Sequence, residues 1–335
     1  MHKINSKYNM TVDMAIDIKD KKIKDSINKY YEKDNVKVTW ISLEKDNSFN
    51  KNEGLYLTLE FDDITDDDAK QKVKNVFLDE LKSFLKKVGY KKKMKTCIVG
   101  LGNAKSTPDC LGPLVIDNII TTKHFYDMKI DVDKKMSETS CITPGVTSKT
   151  GIETSDYIKS IVDLIKPDLV IVVDALSSTT ISRLNKSIQI TDSGISPGSG
   201  VSNKRKEISK NTLNVPVVSI GVPTVTKLSI IVKDALDLMI KNYCYNKQNI
   251  NNKSNKFIVD SVNFLNKDFK INKEDEKELL GLLGALSSDE RLMYINEVFS
   301  SVNYNLIVSS KEIDFLIEKL SEIISFGINK SLHDI

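Results

Sequence analysis

The chain has 335 residues, 40% hydrophobic and 28% charged, which is enough to bury the core of one large domain or two. Its 49 Lys and Arg residues nearly balance its 46 Asp and Glu residues, so charge gives no argument for binding nucleic acid or an anionic membrane. No apolar run approaches the roughly 20 residues that span a bilayer, and the N-terminus lacks a signal peptide's apolar segment. The four cysteines show no C-x-x-C spacing, so neither a zinc site nor a disulfide framework is predicted. We expect a cytoplasmic protein.

The first 95 residues predict a small antiparallel addition. Residues 1–20 are polar and aperiodic, and we interpret them as a loose arm. Residues 36–43 and 55–61 alternate apolar with polar side chains around a polar loop, which predicts two antiparallel strands. Residues 66–88 place apolar side chains on one helical face, which predicts a helix.

From residue 96 onward, strands alternate with helices, as in a parallel sheet with crossover helices. The clearest buried strand is 168–174, which is apolar on both faces and ends in a carboxylate. The other predicted strands are 97–99, 139–142, 187–191 and 215–222, and the predicted helices are 111–120, 155–165 and 228–240.

An Asn- and Lys-rich stretch, residues 242–256, precedes a helical tail. The predicted fold is therefore α/β: a mostly parallel sheet flanked by helices, with an N-terminal antiparallel addition and a helical C-terminal part. We divide the chain into an arm, residues 1–13, and a single domain, residues 14–335. The parts of that domain are the N-terminal strands and helix (14–95), an α/β core (96–241), and a flexible insert with C-terminal helices (242–335).

Two aspartates lie at the ends of predicted strands, where open α/β sheets form their binding sites. Asp109 follows strand 97–99 and two glycines, and Asp174 ends strand 168–174. Ligands of open α/β sheets bind at the carboxyl ends of the strands. Two neighbouring carboxylates cannot both ionise cheaply, so one keeps a proton, and such a pair can activate water and protonate a peptide carbonyl. The alternative is that each aspartate caps the next helix.

Three other motifs fail a structural requirement. Asp192-Ser-Gly194 imitates the triplet of pepsin-like proteases, which need two such triplets on two β-rich lobes. Gly194-Ile-Ser-Pro-Gly198 has the letters of a serine-hydrolase elbow, but glycine follows Ser196 where the elbow requires a helix. Gly100-Leu-Gly102 fails the dinucleotide fingerprint because Lys105 stands at its third glycine position.

Cys110 with His124 as its base is a further nucleophile hypothesis, but an ordinary buried cysteine is the simpler interpretation. A metal held by Asp109, Asp174 and a histidine stays open, although no paired histidine spacing supports it. We predict neither a metal nor an organic cofactor.

Segments along nearly the whole chain resemble, in order, the germination protease family of endospore-forming bacteria. The segments that carry the resemblance include Gly100-Leu-Gly-Asn103, Thr107-Pro-Asp-Cys-Leu-Gly-Pro113, Thr150-Gly-Ile-Glu-Thr-Ser-Asp156, Asp174-Ala-Leu176, Gln189-Ile-Thr-Asp-Ser-Gly-Ile195, Asn203-Lys-Arg-Lys-Glu207 and Ile220-Gly-Val-Pro-Thr224.

The resemblance implies a fold similar to the hydrogenase-maturation peptidases and an aspartic-type endopeptidase whose two implicated aspartates match Asp109 and Asp174. It implies that the substrates are small acid-soluble spore proteins, degraded at germination in the spore cytoplasm. It also implies a homotetramer without direct nucleic-acid or membrane contacts, made as a zymogen that processes itself.

The cleaved sites of the family resemble Thr-Glu/Asp followed by a hydrophobic residue and Ala. Thr11-Val-Asp-Met-Ala15 is similar to such a site, with Val12 as an inserted residue. The resemblance therefore predicts cleavage between Asp13 and Met14, which releases residues 1–13 as a propeptide.

The chain departs from the family at three places. Cys110 stands where Ala is usual, Lys123 where Arg is usual, and Ser177-Ser-Thr179 where Ala-Ala-Arg is usual. The missing arginine leaves open which cation, if any, acts near Asp174. The alternatives to a spore endopeptidase are a metal-dependent maturation peptidase of the same fold and an inactive peptide-binding module.

Overall fold

A computed structural model describes residues 14–17, 27–45, 51–198, 205–249, 269–304 and 306–335. The described residues form two compact units. The first lies within residues 10–226 and 309–335, and the second lies within residues 227–308. No helix in these described ranges has the length and apolar character needed to cross a membrane.

The strands and helices have the following bounds. The strands are β1 (Ile27–Lys33), β2 (Val36–Leu43), β3 (Gly54–Glu60), β4 (Thr96–Gly100), β5 (Thr139–Ile142), β6 (Leu169–Ser178), β7 (Ser187–Thr191), β8 (Val217–Lys227) and β9 (Ile307–Val308). The helices are α1 (Asp67–Lys87), α2 (Leu111–Asp117), α3 (Lys123–Asp127), α4 (Thr147–Thr150), α5 (Thr154–Ile165), α6 (Lys210–Leu213), α7 (Leu228–Asn249), α8 (Lys273–Leu280), α9 (Leu282–Ala285), α10 (Ser288–Ser301) and α11 (Ile313–Leu332).

One mixed sheet organises the first unit, with the strand order β1–β2–β3–β7–β8–β6–β4–β5. Strands β8, β6, β4 and β5 run parallel to one another. Strands β1, β2, β3 and β7 are antiparallel to their neighbours, and β7 joins the two halves by pairing antiparallel with β8. The predicted α/β class, with a parallel core and an N-terminal antiparallel addition, is confirmed.

Both faces of this sheet are covered, because its strands are apolar on both sides. On one face, α1, α2 and α11 bury the main core, in which Trp40 stacks on Phe84 with ring centroids 5.7 Å apart. Gly327 lets α11 approach α1 closely, since a Cβ there would lie 2.4 Å from Phe77. On the opposite face, α5 and α6 pack over a second apolar cluster that includes Val170 and Val172.

In the second unit, helices α7, α8 and α10 enclose a network of ion pairs. Arg291 lies 2.8 Å from Glu276 and 3.1 Å from Asp237, and Lys233 lies 3.1 Å from Asp237. The Arg291 and Lys233 side chains are almost fully buried. Burying one of these charges without a partner would cost roughly several kcal/mol. The ion pairs therefore stabilise the packing of the three helices.

Several boundaries differ from the sequence-based predictions. The polar edge strand β1 was not predicted, and β6 continues past Asp174 to Ser178 because β8 pairs with it up to Thr226. Helix α7 extends to Asn249, into the stretch predicted to be flexible. Within residues 1–20, which the sequence analysis interprets as loose, Ala15–Asp17 form a short 3-10 turn, and Met14 is fully buried.

Candidate active site

Asp109 lies on a 3-10 turn, Thr107–Asp109, between β4 and α2. It does not cap α2, whose N-cap is Cys110. Its carboxylate instead accepts the backbone N–H of Asn103 at 2.8 Å, and the same N–H lies 3.1 Å from the Asp109 carbonyl oxygen. Gly102, at φ 111°, makes this close return of the chain feasible, since a Cβ there would lie 1.9 Å from that carbonyl oxygen. The helix-cap alternative for Asp109 is therefore wrong.

The turn that carries Asp109 is pinned to the neighbouring strands. The Thr224 hydroxyl, fully buried on β8, donates to the Pro108 carbonyl oxygen at 2.5 Å. The turn also lies against β6. The position of Asp109 is therefore set by β4, β6 and β8 together.

Asp174 lies on β6, one residue after Val173, which pairs with the last residue of β4. The last β4 residue, Gly100, pairs with Val173, and the Leu101 N–H donates to the Val173 carbonyl oxygen at 2.8 Å. The Asp174 side chain is 5% exposed, and one of its oxygens accepts the Ala175 N–H at 2.9 Å. Because β4 and β6 are adjacent, both aspartates belong to the same edge of the parallel half of the sheet.

The environment of Asp109 favours a protonated carboxyl. Burial raises its pKa above the usual range, and the hydrogen bond from the Asn103 N–H opposes this effect without cancelling it. A carboxyl group with a raised pKa retains its proton to higher pH and is suited to act as a general acid.

A lysine that was not singled out from the sequence lies next to this turn. Lys149 lies in the last turn of α4, and its Nζ lies 2.5 Å from the Asn103 side-chain oxygen. The Asn103 backbone N–H donates to Asp109. Gly145 and Gly151 shape the loop that carries Lys149. Those glycines predict a shaped loop, but the sequence contains no signal for which of its side chains turns toward Asn103.

The rejected nucleophile motifs have structural roles. The Cys110 thiol donates to the Thr107 carbonyl oxygen at 3.2 Å, and burial raises its pKa, which disfavours the thiolate. Asp192 accepts the Leu55 N–H at 2.7 Å and so ties β3 to the loop after β7. Next to Ser196, Ile195 forms an antiparallel bridge with Ile208 instead of entering a helix, as the serine elbow would require.

The predicted processing site lies only partly within the described residues. Asp13 lies outside them, whereas Met14 and Ala15 are fully buried. As for metals, no group of three or more His, Cys, Asp or Glu side chains suited to a metal ion occurs in the described part of the chain. The described residues therefore contain no such ligand set for the metal-dependent alternative.

Comparison with known proteins identifies the class. The sequence profile of the germination protease family matches residues 4–335. A germination protease of Bacillus licheniformis is 38% identical over 98% of this chain and 95% of its own length, and one of Bacillus mycoides is 39% identical over the same shares. Among solved structures, a nickel–iron hydrogenase maturation protease from Thermococcus kodakarensis is similar over 42% of this chain and 80% of that one, at 20% identity and a TM-score of 0.27.

A match over almost the full length of both chains places this protein among the proteases. More specifically, the chain belongs to the germination protease family.

Proposed function

We propose that the chain is an endopeptidase that initiates degradation of small acid-soluble spore proteins in the germinating spore, with Asp109 and Asp174 as its acid and base. The family match supports the biological role. The observation that carries the catalytic assignment is the position of the two carboxyl groups at one sheet edge, with Asp109 held by the Asn103 N–H and its pKa raised by burial. The substrates, once released from DNA as flexible chains, can enter such an edge in extended form.

In the proposed reaction, ionised Asp174 removes a proton from a water molecule, and the water oxygen attacks the scissile carbonyl carbon. Protonated Asp109 donates its proton to the carbonyl oxygen, so the tetrahedral intermediate carries no full oxyanion. As the intermediate collapses, the C–N bond breaks and the leaving nitrogen takes the proton from Asp174, while Asp109 recovers its own.

We further propose that the chain is made as a zymogen that cuts itself between Asp13 and Met14, and that it assembles as a homotetramer. Both proposals follow from the family resemblance. The arm is tethered to the catalytic unit, so its effective concentration is on the order of millimolar, and even an imperfect site such as this one can be cut.

The test is to incubate the purified chain with a small acid-soluble spore protein and to map the fragments by mass spectrometry. Asp109→Asn and Asp174→Asn should each abolish cleavage and retain the fold, since losing one of two cooperating groups raises the barrier by roughly 4 kcal/mol or more. Near-normal turnover by either folded variant would refute the assignment. Binding without cleavage by the unmodified chain would support the peptide-binding alternative, and loss of cleavage on chelation would support the metal-dependent one.

A further inference from the structure

Asn103 is the residue on which the turn that carries Asp109 closes. Its backbone N–H donates to Asp109 Oδ2 at 2.8 Å, and its carbonyl oxygen accepts the Ser106 N–H at 2.9 Å. Its side-chain oxygen accepts the Lys105 N–H at 3.1 Å. Because the turn uses the N–H, the carbonyl and the side chain of Asn103, a shift of this residue also moves the Asp109 carboxyl.

The Asn103 N–H also determines which Asp109 oxygen carries a proton. A protonated carboxyl group donates from one oxygen and accepts best with the other. Since Oδ2 accepts the Asn103 N–H, the proton belongs on Oδ1. A Cβ at Gly102 would lie 3.2 Å from Oδ1, so the glycine leaves room beside the oxygen that donates.

Lys149 brings a positive charge to Asn103 from a different loop. Its Nζ lies 2.5 Å from the Asn103 side-chain oxygen, although the two residues are 46 positions apart in sequence. A hydrogen bond from an ammonium group is shorter and stronger than one between neutral groups. This contact joins the loop after β5 to the turn after β4, and β4 and β5 are neighbouring strands.

The loop that carries Lys149 is held by its own hydrogen bonds. Gly151, at φ 70°, ends α4 in the left-handed conformation, and its N–H donates to the Thr147 carbonyl oxygen at 2.8 Å. The Thr147 hydroxyl lies 3.4 Å from the Thr154 hydroxyl at the start of α5. The Lys149 backbone is therefore anchored, so its ammonium group can hold Asn103 although the side chain is exposed.

We propose that Lys149 is a positioning residue for the catalytic acid: it holds Asn103, and Asn103 orients the Asp109 carboxyl. The inference rests on the proposed function for the role of Asp109 as an acid. The connection from Lys149 through Asn103 to Asp109 can be measured without cleavage. Burial raises the pKa of Asp109 and the Asn103 N–H lowers it, so a less firmly held Asn103 raises this pKa further.

Other charged groups lie around this turn and bear on its pH dependence. Lys105 lies in the turn itself, and Asp174 lies on the neighbouring strand β6. Helix α11 also packs against the turn, and its Asp314 and Glu318 raise the pKa of Cys110. The Lys149 variants leave all of these groups in place, so a change in their pH profile reports the contact between Lys149 and Asn103.

The first test measures kcat, KM and the pH profile for cleavage of a small acid-soluble spore protein. Lys149→Met removes the ammonium group and keeps a side chain of similar length. We expect kcat to fall roughly fivefold, the effect of one hydrogen bond, with little change in KM. The alkaline limb of kcat, where Asp109 loses its proton, should move up by about 0.5 pH unit. Lys149→Arg should restore both values, since its guanidinium can donate to the same oxygen.

Two controls separate this role from a general effect of charge. Asn103→Ala removes the side-chain oxygen and keeps the backbone N–H, so adding Lys149→Met to it should change kcat no further. Lys105→Met removes an ammonium group from the same turn and keeps the backbone N–H that binds Asn103, so it should leave kcat unchanged. Equal losses of kcat in Lys149→Met and Lys105→Met, or a full effect of Lys149→Met in the Asn103→Ala chain, would overturn the proposal.

The second test does not depend on cleavage. The difference in unfolding free energy between the unmodified chain and Asp109→Asn grows with pH until it levels off near the folded-state pKa of Asp109. Adding Lys149→Met to both chains should move this levelling-off point to higher pH by about 0.5 unit. An unchanged curve would refute the proposal. The expected shift together with no cleavage of spore proteins by the unmodified chain would retain the role of Lys149 at Asp109 and refute the peptidase proposal.

Discussion

Replacing Thr224 with valine removes one hydrogen bond from the turn that carries Asp109. The Thr224 hydroxyl is fully buried and lies 2.5 Å from the Pro108 carbonyl oxygen, next to Asp109 in sequence. Valine has nearly the same shape but no hydroxyl, so the substitution leaves the packing of β8 in place. The Pro108 carbonyl loses this donor.

The expected magnitude has two parts. Loss of a buried hydrogen bond that leaves one partner unsatisfied costs about 1–3 kcal/mol of unfolding free energy. A displacement of about 1 Å at a reacting group reduces turnover about 100-fold, so we expect kcat to fall by roughly 10- to 100-fold. We expect KM to change little, because the Thr224 side chain is fully buried.

The assay is steady-state cleavage of a small acid-soluble spore protein, with urea unfolding of the same samples. Thr224→Ser is the matched control, since it keeps the hydroxyl and deletes only a methyl group. We expect Thr224→Ser to retain kcat within about threefold while losing roughly 1 kcal/mol of stability. Native kcat in a destabilised Thr224→Val chain, or equal loss of kcat in both variants, would refute the view that this hydrogen bond positions Asp109.

Three further predictions concern other residues. Burial raises the folded-state pKa of Asp109, so its ionisation destabilises the fold as pH rises from about 4 through that raised pKa. Asp109→Asn should therefore have a higher unfolding free energy than the unmodified chain at pH 7 and the same unfolding free energy below about pH 4. If urea unfolding shows the same difference in unfolding free energy across this pH range, the prediction is wrong. N-terminal sequencing should find Met14 first after maturation and no maturation in Asp13→Lys, whereas an active chain that still begins at Met1 would refute the zymogen proposal. Ser196→Ala and Cys110→Ala should retain activity, and a covalent acyl-enzyme trapped at either residue would reverse that conclusion.

Local patterns predicted the elements whose stabilising contacts are local. Helix α1 was predicted within one residue at each end, because its apolar face repeats regularly and the Asp66 side chain caps it by accepting the Ala69 N–H. Strands β2 and β7 were predicted with their observed bounds, since a half-buried or fully buried strand carries its burial pattern in its own residues.

Elements that depend on a distant partner were missed or cut short. Strand β1 is polar, and it is a strand because β2 pairs with it. The sequence of β6 turns polar after Asp174, yet β8 supplies hydrogen bonds up to Ser178. Backbone pairing of this kind is decided by the other strand, so no local pattern reports it.

At the candidate site, the sequence by itself determined the residue types and the edge of the sheet where they lie. Asp109 and Asp174 follow the apolar strand segments, and the order of strands and helices brings those ends together. The sequence left undecided whether Asp109 caps a helix, because a capping aspartate and an aspartate in a loop fit the same local pattern. The tertiary structure shows that Asp109 caps no helix and accepts the Asn103 N–H instead, that the Thr224 hydroxyl on β8 holds its turn, and that Met14 is buried beside β7. The Thr224 and Met14 contacts join segments far apart in the chain, and packing of that kind is what the sequence pattern does not contain.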